Sequence, residues 1–428
     1  MNGFKIQVLS GEDRERIHKG ALYVLEKGEV KIEDSLTLKE LAKRGAKVEE
    51  VSQLVSFPPE LVEESLQTVG RKPIIYTVSG KPLHLYGTNR YYGSLTIDPF
   101  VLDYEKGLRK PLVNDVARHA RLGDALPEID SIYKMDQECS DAPGVLSDIE
   151  TLKAFISNTT TSYSCAPASM DSARRWVEVA EIMAGGDLKH KPILSGYVAS
   201  ISPLTLDRKA LEMMRFFVQR GVLLRCGPCP IAGATAPYPL AGTLVQSWAE
   251  VLAQIVVSQI LEEGIPVQIG IGGSSLDMKT GNDLYGGPVK DILHLAALEM
   301  AEEFELSASF GVFSTLCSNY DLQNGAESAI CAVFHFFMRN HLLSGLGSLS
   351  NACGVSAEQI LFHYDLIEMM EWYTKGIDCS DEKLALESII KIGPGGNFLM
   401  DDCTLKLLRT SEHFLPSDFA VDAYGERS

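Results

Sequence analysis

The sequence has no excess of basic side chains. It contains 39 Lys and Arg residues and 57 Asp and Glu residues, for a formal net charge of −18. Nonspecific binding to nucleic acid or to an anionic membrane needs a basic face, so the charge argues against both. A cationic ligand or a basic partner suits this balance better.

A long uninterrupted apolar run is also missing. The longest apolar-rich segment, residues 252–261, contains Gln254 and Gln259, and this argues against a membrane span. The opening residues, MNGFKIQVLSGEDRER, lack the basic start and apolar core of a signal peptide. The chain has 9 cysteines, an odd and scattered set that favours free thiols over a disulfide framework. We therefore expect a cytoplasmic protein.

From about residue 128 onward, short β-rich runs alternate with helical patterns. Strand followed by helix, repeated, predicts parallel strands with right-handed crossovers, as in a (β/α)8 TIM-type barrel or a doubly wound sheet. Small residues at the carboxyl ends of the runs favour the barrel, because barrels place their active sites at that face. The glycines concerned are Gly227, Gly270, Gly272, Gly311, Gly345 and Gly347. The β-rich runs are IDSIYKM, TTTSYSCA, PILSGYVA, VLLRCG, VQIGIGG, SASFGVF and LLSGLGS.

Two regions are predicted: a mixed helical and hairpin accessory region over 1–115, and the barrel with a C-terminal helical extension over 116–428. In the first, SLTLKELAKRGAKV and PPELVEESLQTV have helical spacing, and PIIYTVSGKPLHLYG is typical of a hairpin. The eighth barrel strand is not evident, and IKIGPGGNF is the candidate. We expect the tail from Ser380 to pack against the barrel.

The tetrapeptide Cys226-Gly227-Pro228-Cys229 has the letters of a dithiol redox centre. A reactive dithiol needs its first cysteine at a helix N-terminus, which lowers the thiol pKa. Prolines follow Cys229 until about Gly242, so a tight turn with incidental thiols is favoured. Arg225 is able to favour a thiolate, which keeps a dithiol oxidoreductase as the less favoured alternative.

Other common catalytic patterns are weak or missing. Cys226 and Cys229 have no second CxxC or HxxxH pair, and His335 and His341 fall on different helix faces, so no metal is predicted. IGIGGSS and GPGG lack the strand–GxGxxG–helix context of a nucleotide site. No Ser-His-Asp or Cys-His arrangement stands out, so no acid, base or nucleophile is expected.

Aromatic residues near predicted strand ends suit a cage for a quaternary ammonium, which binds ring faces by cation–π attraction. The alternative, that most of these rings belong to the barrel core or to loop packing, stays open. The predicted substrate-binding rings are Tyr91, Tyr92, Tyr197, Tyr285, Phe310 and Phe313.

Five stretches, in order, resemble the trimethylamine methyltransferase family, whose members pass a methyl group from a methylated amine to the cobalt of a corrinoid protein. Weaker similarity through VLDYEKGLRKP and the first half of the barrel extends the resemblance over almost the whole chain. The five are GATAPYPLAGTLVQSWAEVLAQIVVSQ (233–259), GGSSLDMKTG with YGGP (272–288), SNYDLQNGAESA (318–329), SGLGSL (344–349) and IGPGGNFL (392–399).

The trimethylamine enzymes of this family carry pyrrolysine in the barrel, whereas this chain has only standard residues around SASFGVFSTLCSNYD. It therefore resembles the non-pyrrolysine branch, similar to glycine betaine methyltransferases. The resemblance implies a quaternary amine as methyl donor and a corrinoid (cobalamin) carried by a partner protein. The alternative from another class is a non-catalytic protein that binds quaternary amines. A homo-oligomer is also expected.

A betaine carboxylate needs a cation or several N–H donors. Arg225 is the first candidate, with His335 and His341 weaker ones, although a structural ion pair is an equal alternative for Arg225. Gln323 is included among the predicted substrate-binding residues. Capping explains Asp321 and loop solvation explains Asp277 as well as function does. The residues predicted to face the corrinoid are Gly272, Gly273, Asp277, Met278, Asp321 and Glu327.

Overall fold

Eight parallel strands close into a barrel in the computed structural model, which describes residues 6–338, 340–408, 410 and 412–414. Each strand pairs with the next in chain order, and the last pairs with the first. The predicted (β/α)8 barrel is therefore confirmed. The strands are β1 (Tyr91–Leu95), β2 (Ile129–Met135), β3 (Ser162–Ala166), β4 (Leu194–Val198), β5 (Leu223–Cys226), β6 (Val267–Ile269), β7 (Ser307–Gly311) and β8 (Leu342–Leu346).

A long helix follows each of these strands along the chain. The helices are α1 (Val113–Ala125), α2 (Val145–Ile156), α3 (Met170–Ala184), α4 (Arg208–Arg220), α5 (Leu240–Leu261), α6 (Pro288–Glu303), α7 (Leu322–Phe336) and α8 (Ala357–Thr374). By length and composition α5 is able to cross a membrane, but 78% of its apolar window is buried within the protein. Core helices of globular proteins have the same character, so this is weak support for a span.

The β4–α4 unit shows how the local sequence specifies these elements. The Asp207 side chain caps α4 by accepting from the Ala210 N–H at 2.8 Å, and Gly221 ends the helix with a left-handed φ of 73°. The Phe217 side chain of α4 is fully buried against β4. A Cβ at Gly196 would collide with the Phe217 ring, so glycine there permits the close approach of helix to strand.

The seven β-rich runs found in the sequence are the strands β2 to β8, but the predicted eighth strand is wrong. IKIGPGGNF overlaps the helix Leu386–Ile392 and the turn after it. The missing strand is β1, inside the region predicted as accessory. Its strand-then-helix pattern is interrupted by two short strands, Phe100–Asp103 and Gly107–Arg109, before α1 begins. The division at residue 115 stays a prediction as a domain boundary.

The N-terminal region contains the two predicted helices, Ser35–Lys43 and Pro59–Thr68, after a first helix, Gly11–Lys27. Three short strands join Thr205–Leu206, from the loop after β4, in a four-stranded sheet. These three strands are Val30–Ile32, Lys47–Glu49 and Leu54–Ser56.

The predicted hairpin is confirmed as the antiparallel pair Ile74–Tyr76 and Pro82–His84. Its apolar side chains pack with Leu223 and Tyr91, the first residues of β5 and β1. The hairpin therefore covers the amino end of the barrel, and the carboxyl end is left for a site.

Short elements complete the description. Ile231–Ala232 pairs with Ser274–Ser275 and so joins the loops after β5 and β6, while Ser348–Leu349 and Gly354–Val355 follow β8. Beyond α8 lie the helices Asp381–Leu384, Leu386–Ile392 and Asp402–Leu407. The packing of this tail against the barrel stays a prediction. The outer ends of the two predicted regions, 1–5 and 415–428, lie outside the described residues.

Candidate active site

A cavity of about 520 Å³ occupies the carboxyl end of the barrel, formed by strand ends and the loops that follow them. Barrel enzymes place their active sites at this face. Glycine and serine residues of β7 and β8, and the glycines just after β6, leave the space open. The cavity is lined by the aromatic rings Tyr133, Tyr197, Tyr285, Phe310 and Phe313, and by the charged side chains Asp98, Arg225, Asp283 and Lys290.

Arg225, on β5, is a half-buried cation on the cavity wall. Its Nη2 donates to the Ser309 hydroxyl at 2.9 Å, and its guanidinium carbon lies 5.6 Å from the centre of the Tyr133 ring. Burial lowers the pKa of Arg225, but a guanidinium stays protonated in proteins. None of the ion pairs among the described residues includes Arg225. The alternative that Arg225 forms a structural ion pair therefore finds no support in that part of the chain.

Lys290, on α6, lines the same cavity, but its ammonium is already paired with other groups of the protein. Its Nζ donates to the Gly311 carbonyl at 3.2 Å and to the Ser314 hydroxyl, and it lies 3.9 Å from the Asp291 carboxylate. The ammonium also lies 5.2 Å from the centre of the Tyr285 ring. Lys290 therefore joins α6 to the end of β7 and the loop after it, and its charge is already compensated.

The aromatic walls combine ring faces with neutral hydroxyl groups. The Tyr197 hydroxyl donates to the Gly227 carbonyl at 2.9 Å, and burial raises the pKa of Tyr197 well above its usual value. Burial also raises the pKa of Tyr285 and Tyr133. These rings stay uncharged, so they offer apolar and quadrupolar surface to a ligand.

Two carboxyl groups on the cavity were missed by the sequence analysis. Asp98, beyond the end of β1, is 2% exposed, and the described hydrogen bond to its side chain comes from Ser348 at 3.4 Å. Burial raises the pKa of Asp98 to about 8. One oxygen of Asp283 is buried without a hydrogen-bond partner among the described residues. No local motif marks either residue: Asp98 follows the strand that was not recognised, and Asp283 lies in an irregular loop.

The structure brings together five of the predicted substrate-binding residues on this cavity: Tyr197, Arg225, Tyr285, Phe310 and Phe313. Tyr91 and Tyr92 do not line it, because they lie near the opposite end of β1. The Tyr91 hydroxyl accepts from the His84 N–H at 2.9 Å, within the hairpin that covers the amino end. Tyr92 is buried.

Gln323 and His335, both on α7, also lie off the cavity. Gln323 is exposed and donates to Glu327 at 2.8 Å. His335 is fully buried, and its Nδ1 is 2.9 Å from the Cys331 carbonyl. Burial lowers the pKa of His335 to about 4, so it is neutral near pH 7 and offers no cation for a carboxylate. His341 is likewise off the cavity, with its Nδ1 accepting from the Ala308 N–H at 3.1 Å.

The residues predicted to face a corrinoid follow β6 or β7. Gly272 lines the cavity, and a Cβ there would collide with the Cys229 sulfur. Asp277 accepts from the Lys279 N–H at 2.9 Å and from the Thr280 hydroxyl at 2.6 Å in an exposed turn that includes Met278. These hydrogen bonds are enough to account for the turn without a ligand.

The three remaining residues of this group also have structural partners. Gly273 lies in the strand-end segment after β6, where a Cβ would lie 3.3 Å from the Leu293 side chain. Asp321 caps α7 through the Asn324 N–H at 3.1 Å, and Glu327 accepts from the Thr315 hydroxyl at 2.6 Å. A role toward a corrinoid stays a prediction for all six residues.

The CGPC segment is a strand-end turn. A Cβ at Gly227 would collide with the Gly270 carbonyl, so the turn packs directly on the segment after β6. Burial raises the pKa of Cys226 to about 12 and also raises the pKa of Cys229, although the latter side chain is exposed to the cavity. The next helix, α5, begins only at Leu240. This environment disfavours the thiolate that dithiol chemistry requires.

Asp291, Cys331 and His335 offer potential metal ligands, with ligand atoms within 4.8 Å of one another. The Cys331 thiol donates to the Val312 carbonyl, and burial raises its pKa, so the sulfur keeps its proton. The Lys290 ammonium beside Asp291 already supplies a positive charge to this cluster. Asp291, Cys331 and His335 are the described residues that would hold a metal, and they lie outside the cavity lining. The predicted absence of a metal stays a prediction.

A barrel of eight βα units with a charged, aromatic cavity at its carboxyl end has the architecture of a barrel enzyme that acts on a small molecule. The family described as trimethylamine methyltransferase (MTTB) matches residues 2–422. The chain therefore belongs to the trimethylamine methyltransferase family, as its motifs indicated.

Relatives in this family align with nearly the whole of this chain and with most of their own length. It is 26% identical to the trimethylamine methyltransferase MttB of Desulfitobacterium hafniense (strain DSM 10664 / DCB-2), over 96% of this chain and 83% of the relative. It is also 26% identical to the glycine betaine methyltransferase of Desulfitobacterium hafniense (strain Y51), over 94% and 84%.

Among solved structures, the monomethylamine methyltransferase (MtmB) of Methanosarcina barkeri is similar with a TM-score of 0.55. The alignment covers 91% of this chain and 80% of that one at 12% identity. At this identity the likeness concerns the fold alone.

Proposed function

We propose that this protein transfers a methyl group from a quaternary amine, with glycine betaine the favoured donor, to the cob(I)alamin of a corrinoid partner protein. The observation that carries the proposal is Arg225, a half-buried guanidinium on the cavity wall without a carboxylate partner among the described residues, beside aromatic rings. Membership of the family and the similarity to a glycine betaine methyltransferase support the same reaction.

The two ends of a betaine match the two kinds of surface in the cavity. A guanidinium pairs with a carboxylate through parallel N–H donors, and Arg225 keeps several donors beyond its bond to Ser309. The trimethylammonium group has no N–H to donate, and it binds ring faces by cation–π attraction. Tyr197, Tyr285 and Phe310 supply aromatic rings to the cavity lining.

The chemistry asks for positioning rather than for proton transfer. A quaternary nitrogen has no lone pair, so the C–N bond breaks with its electron pair moving to nitrogen, and a neutral tertiary amine leaves. When bound, the corrinoid supplies the strongly reduced cobalt that takes the methyl carbon. Arg225 then anchors the carboxylate, while the rings orient the N–CH3 bond and exclude water.

A transfer assay tests the proposal directly. Purified protein, cob(I)alamin and glycine betaine should yield methylcobalamin and dimethylglycine. Arg225→Gln should abolish this, whereas Arg220→Gln, which removes a surface guanidinium paired with Glu181, should not. The absence of turnover with every quaternary amine contradicts the proposal, and binding without turnover would instead indicate the non-catalytic binding protein.

The nine cysteines are all free in the structure, which supports a reducing environment. We therefore also propose a cytoplasmic location, which fractionation of cells expressing the tagged protein would test.

A further inference from the structure

The cavity holds charges of both signs that are not paired with each other. Neither Asp98 nor Asp283 forms an ion pair among the described residues, and Arg225 likewise has none. A buried carboxyl without a cation, or a buried guanidinium without an anion, is costly unless a ligand compensates it. We infer that Asp98 and Asp283 recognise the positive centre of a zwitterionic donor whose anionic group lies on Arg225, and that they determine donor specificity.

The barrel places these charges on opposite sides. In the closed order of eight strands, β5 lies across the barrel from β1. Arg225 is within β5, whereas Asp98 lies beyond Leu95, the last residue of β1. The Asp283 carbonyl accepts from the Asn351 side chain at 2.7 Å, which ties its loop to the loop after β8, the strand that neighbours β1.

The electrostatic neighbours of these groups separate in the same way. Burial is the largest cause that raises the pKa of Tyr285 and Cys353, and Asp98 and Asp283 both add to it. Arg225 interacts instead with Tyr133, Tyr197 and Cys165. Asp98 and Asp283 therefore lie near the same two side chains, whereas Arg225 has other neighbours.

Depth adds a direction to this separation. Arg225 is part of the barrel strand, whereas Asp98 and Asp283 follow strand ends and so lie nearer the mouth, the open carboxyl end of the cavity. A betaine bound with its carboxylate on Arg225 would present its N-methyl groups toward the mouth. A partner that carries the methyl acceptor must approach from that end.

This arrangement should affect binding more than the chemical step. The positive charge on nitrogen disappears as the methyl group leaves, so a carboxylate beside it stabilises the bound donor more than the transition state. Above pH 8, where Asp98 is ionised, Asp98→Asn should therefore raise KM for the donor without lowering kcat. A residue needed only for folding would instead lower kcat or the yield of folded protein.

Calorimetry without cob(I)alamin measures donor binding alone. It therefore tests this inference, which rests on the proposed function, separately from methyl transfer. Glycine betaine should bind at least about tenfold more tightly than its uncharged-centre isostere 3,3-dimethylbutanoate, and more tightly than choline, which lacks the carboxylate. When the measurement is made above pH 8, where Asp98 is ionised, Asp98→Asn and Asp283→Asn should reduce the preference over 3,3-dimethylbutanoate. Arg225→Gln should reduce the preference over choline.

Asp171→Asn, at an exposed carboxylate on α3, is the matched control and should preserve both preferences. Thermal unfolding checks that each variant folds, and Asp283→Asn carries the test if Asp98→Asn does not fold. Equal binding of glycine betaine and 3,3-dimethylbutanoate by the unmodified protein would overturn the inference, as would unchanged preferences in both aspartate variants. Intact preferences without methyl transfer would overturn only the proposed function.

Discussion

Arg225, which is half-buried, and Lys290, which is fully buried, are two cations on the same cavity, and their surroundings differ. Lys290 donates to Gly311 and Ser314 and lies beside Asp291, whereas the described polar partner of Arg225 is a single serine hydroxyl. Lys290 therefore stabilises the end of β7 and its loop, and Arg225 keeps hydrogen-bonding capacity for a ligand. Burial and charge alone do not identify a binding residue, because the pairing state decides what the charge is able to do.

Removal of the unpaired cation should have the largest effect on function. We expect Arg225→Gln to lower kcat/KM for glycine betaine by about 100-fold or more, since a buried charge contact to the donor is lost. Steady-state methylcobalamin formation measures this. Arg225→Lys should recover part of the loss, because it restores the charge without the planar pair of donors. Equal rates for Arg225→Gln and the unmodified protein would end the distinction between the two cations.

Removal of the paired cation should appear first in stability. Lys290→Met leaves the Gly311 carbonyl, the Ser314 hydroxyl and the Asp291 carboxylate without this partner, and we expect a loss of about 2 to 4 kcal/mol in the free energy of unfolding. Urea unfolding followed by circular dichroism measures it. Should Lys290→Met unfold like the original chain, the charge of Lys290 would not be structural.

A smaller effect is expected from pH. The pKa of Asp98 is raised to about 8 by burial, so this carboxyl is mostly neutral at lower pH. Glycine betaine does not titrate in this range, and burial and the two carboxylates keep Tyr285 and Cys353 protonated beside Asp98 and Asp283. Affinity for glycine betaine should therefore rise as pH increases through about 8 and then level off, changing by about tenfold or less per pH unit.

Calorimetry at several pH values measures this dependence, and paired buffers of different ionisation enthalpy report proton release on binding. Asp98→Asn should make the affinity insensitive to pH. A flat profile for the unmodified protein would argue against contact between Asp98 and the ammonium.

The smallest effect is expected at CGPC. Cys226 is buried and its pKa is raised to about 12, so it is a packed thiol. Cys226→Ser should leave methyl transfer within about twofold, because the thiolate takes no part in the reaction. Loss of activity in a variant that still folds would reopen the dithiol alternative.

Much of the barrel was predictable, because β2 to β8 have local signals: β-rich runs that end in small residues and are followed by amphipathic helices. β1 was missed because two short strands separate it from α1. The wrong candidate, IKIGPGGNF, has apolar residues and glycines that serve equally well at a helix end, as in Leu386–Ile392.

Within the site, the sequence by itself determined that a cation and several aromatic rings line the cavity. It indicated the family through ordered motifs, and it indicated Arg225, Tyr197, Tyr285, Phe310 and Phe313 through their positions at strand ends or in the loops that follow them. Proximity to a predicted strand end was enough there, because parallel strands bring their carboxyl ends together.

Only the tertiary structure decided which charges are free. Asp98 and Asp283 come from separate loops with no shared motif, and His335 has a suitable side chain but lies outside the cavity lining. The pairing of a charge depends on partners distant in the chain, as Arg225 with Ser309 and Asp98 with Ser348 show. Local sequence therefore specifies the strands and their ends, whereas burial and pairing arise only when the barrel closes.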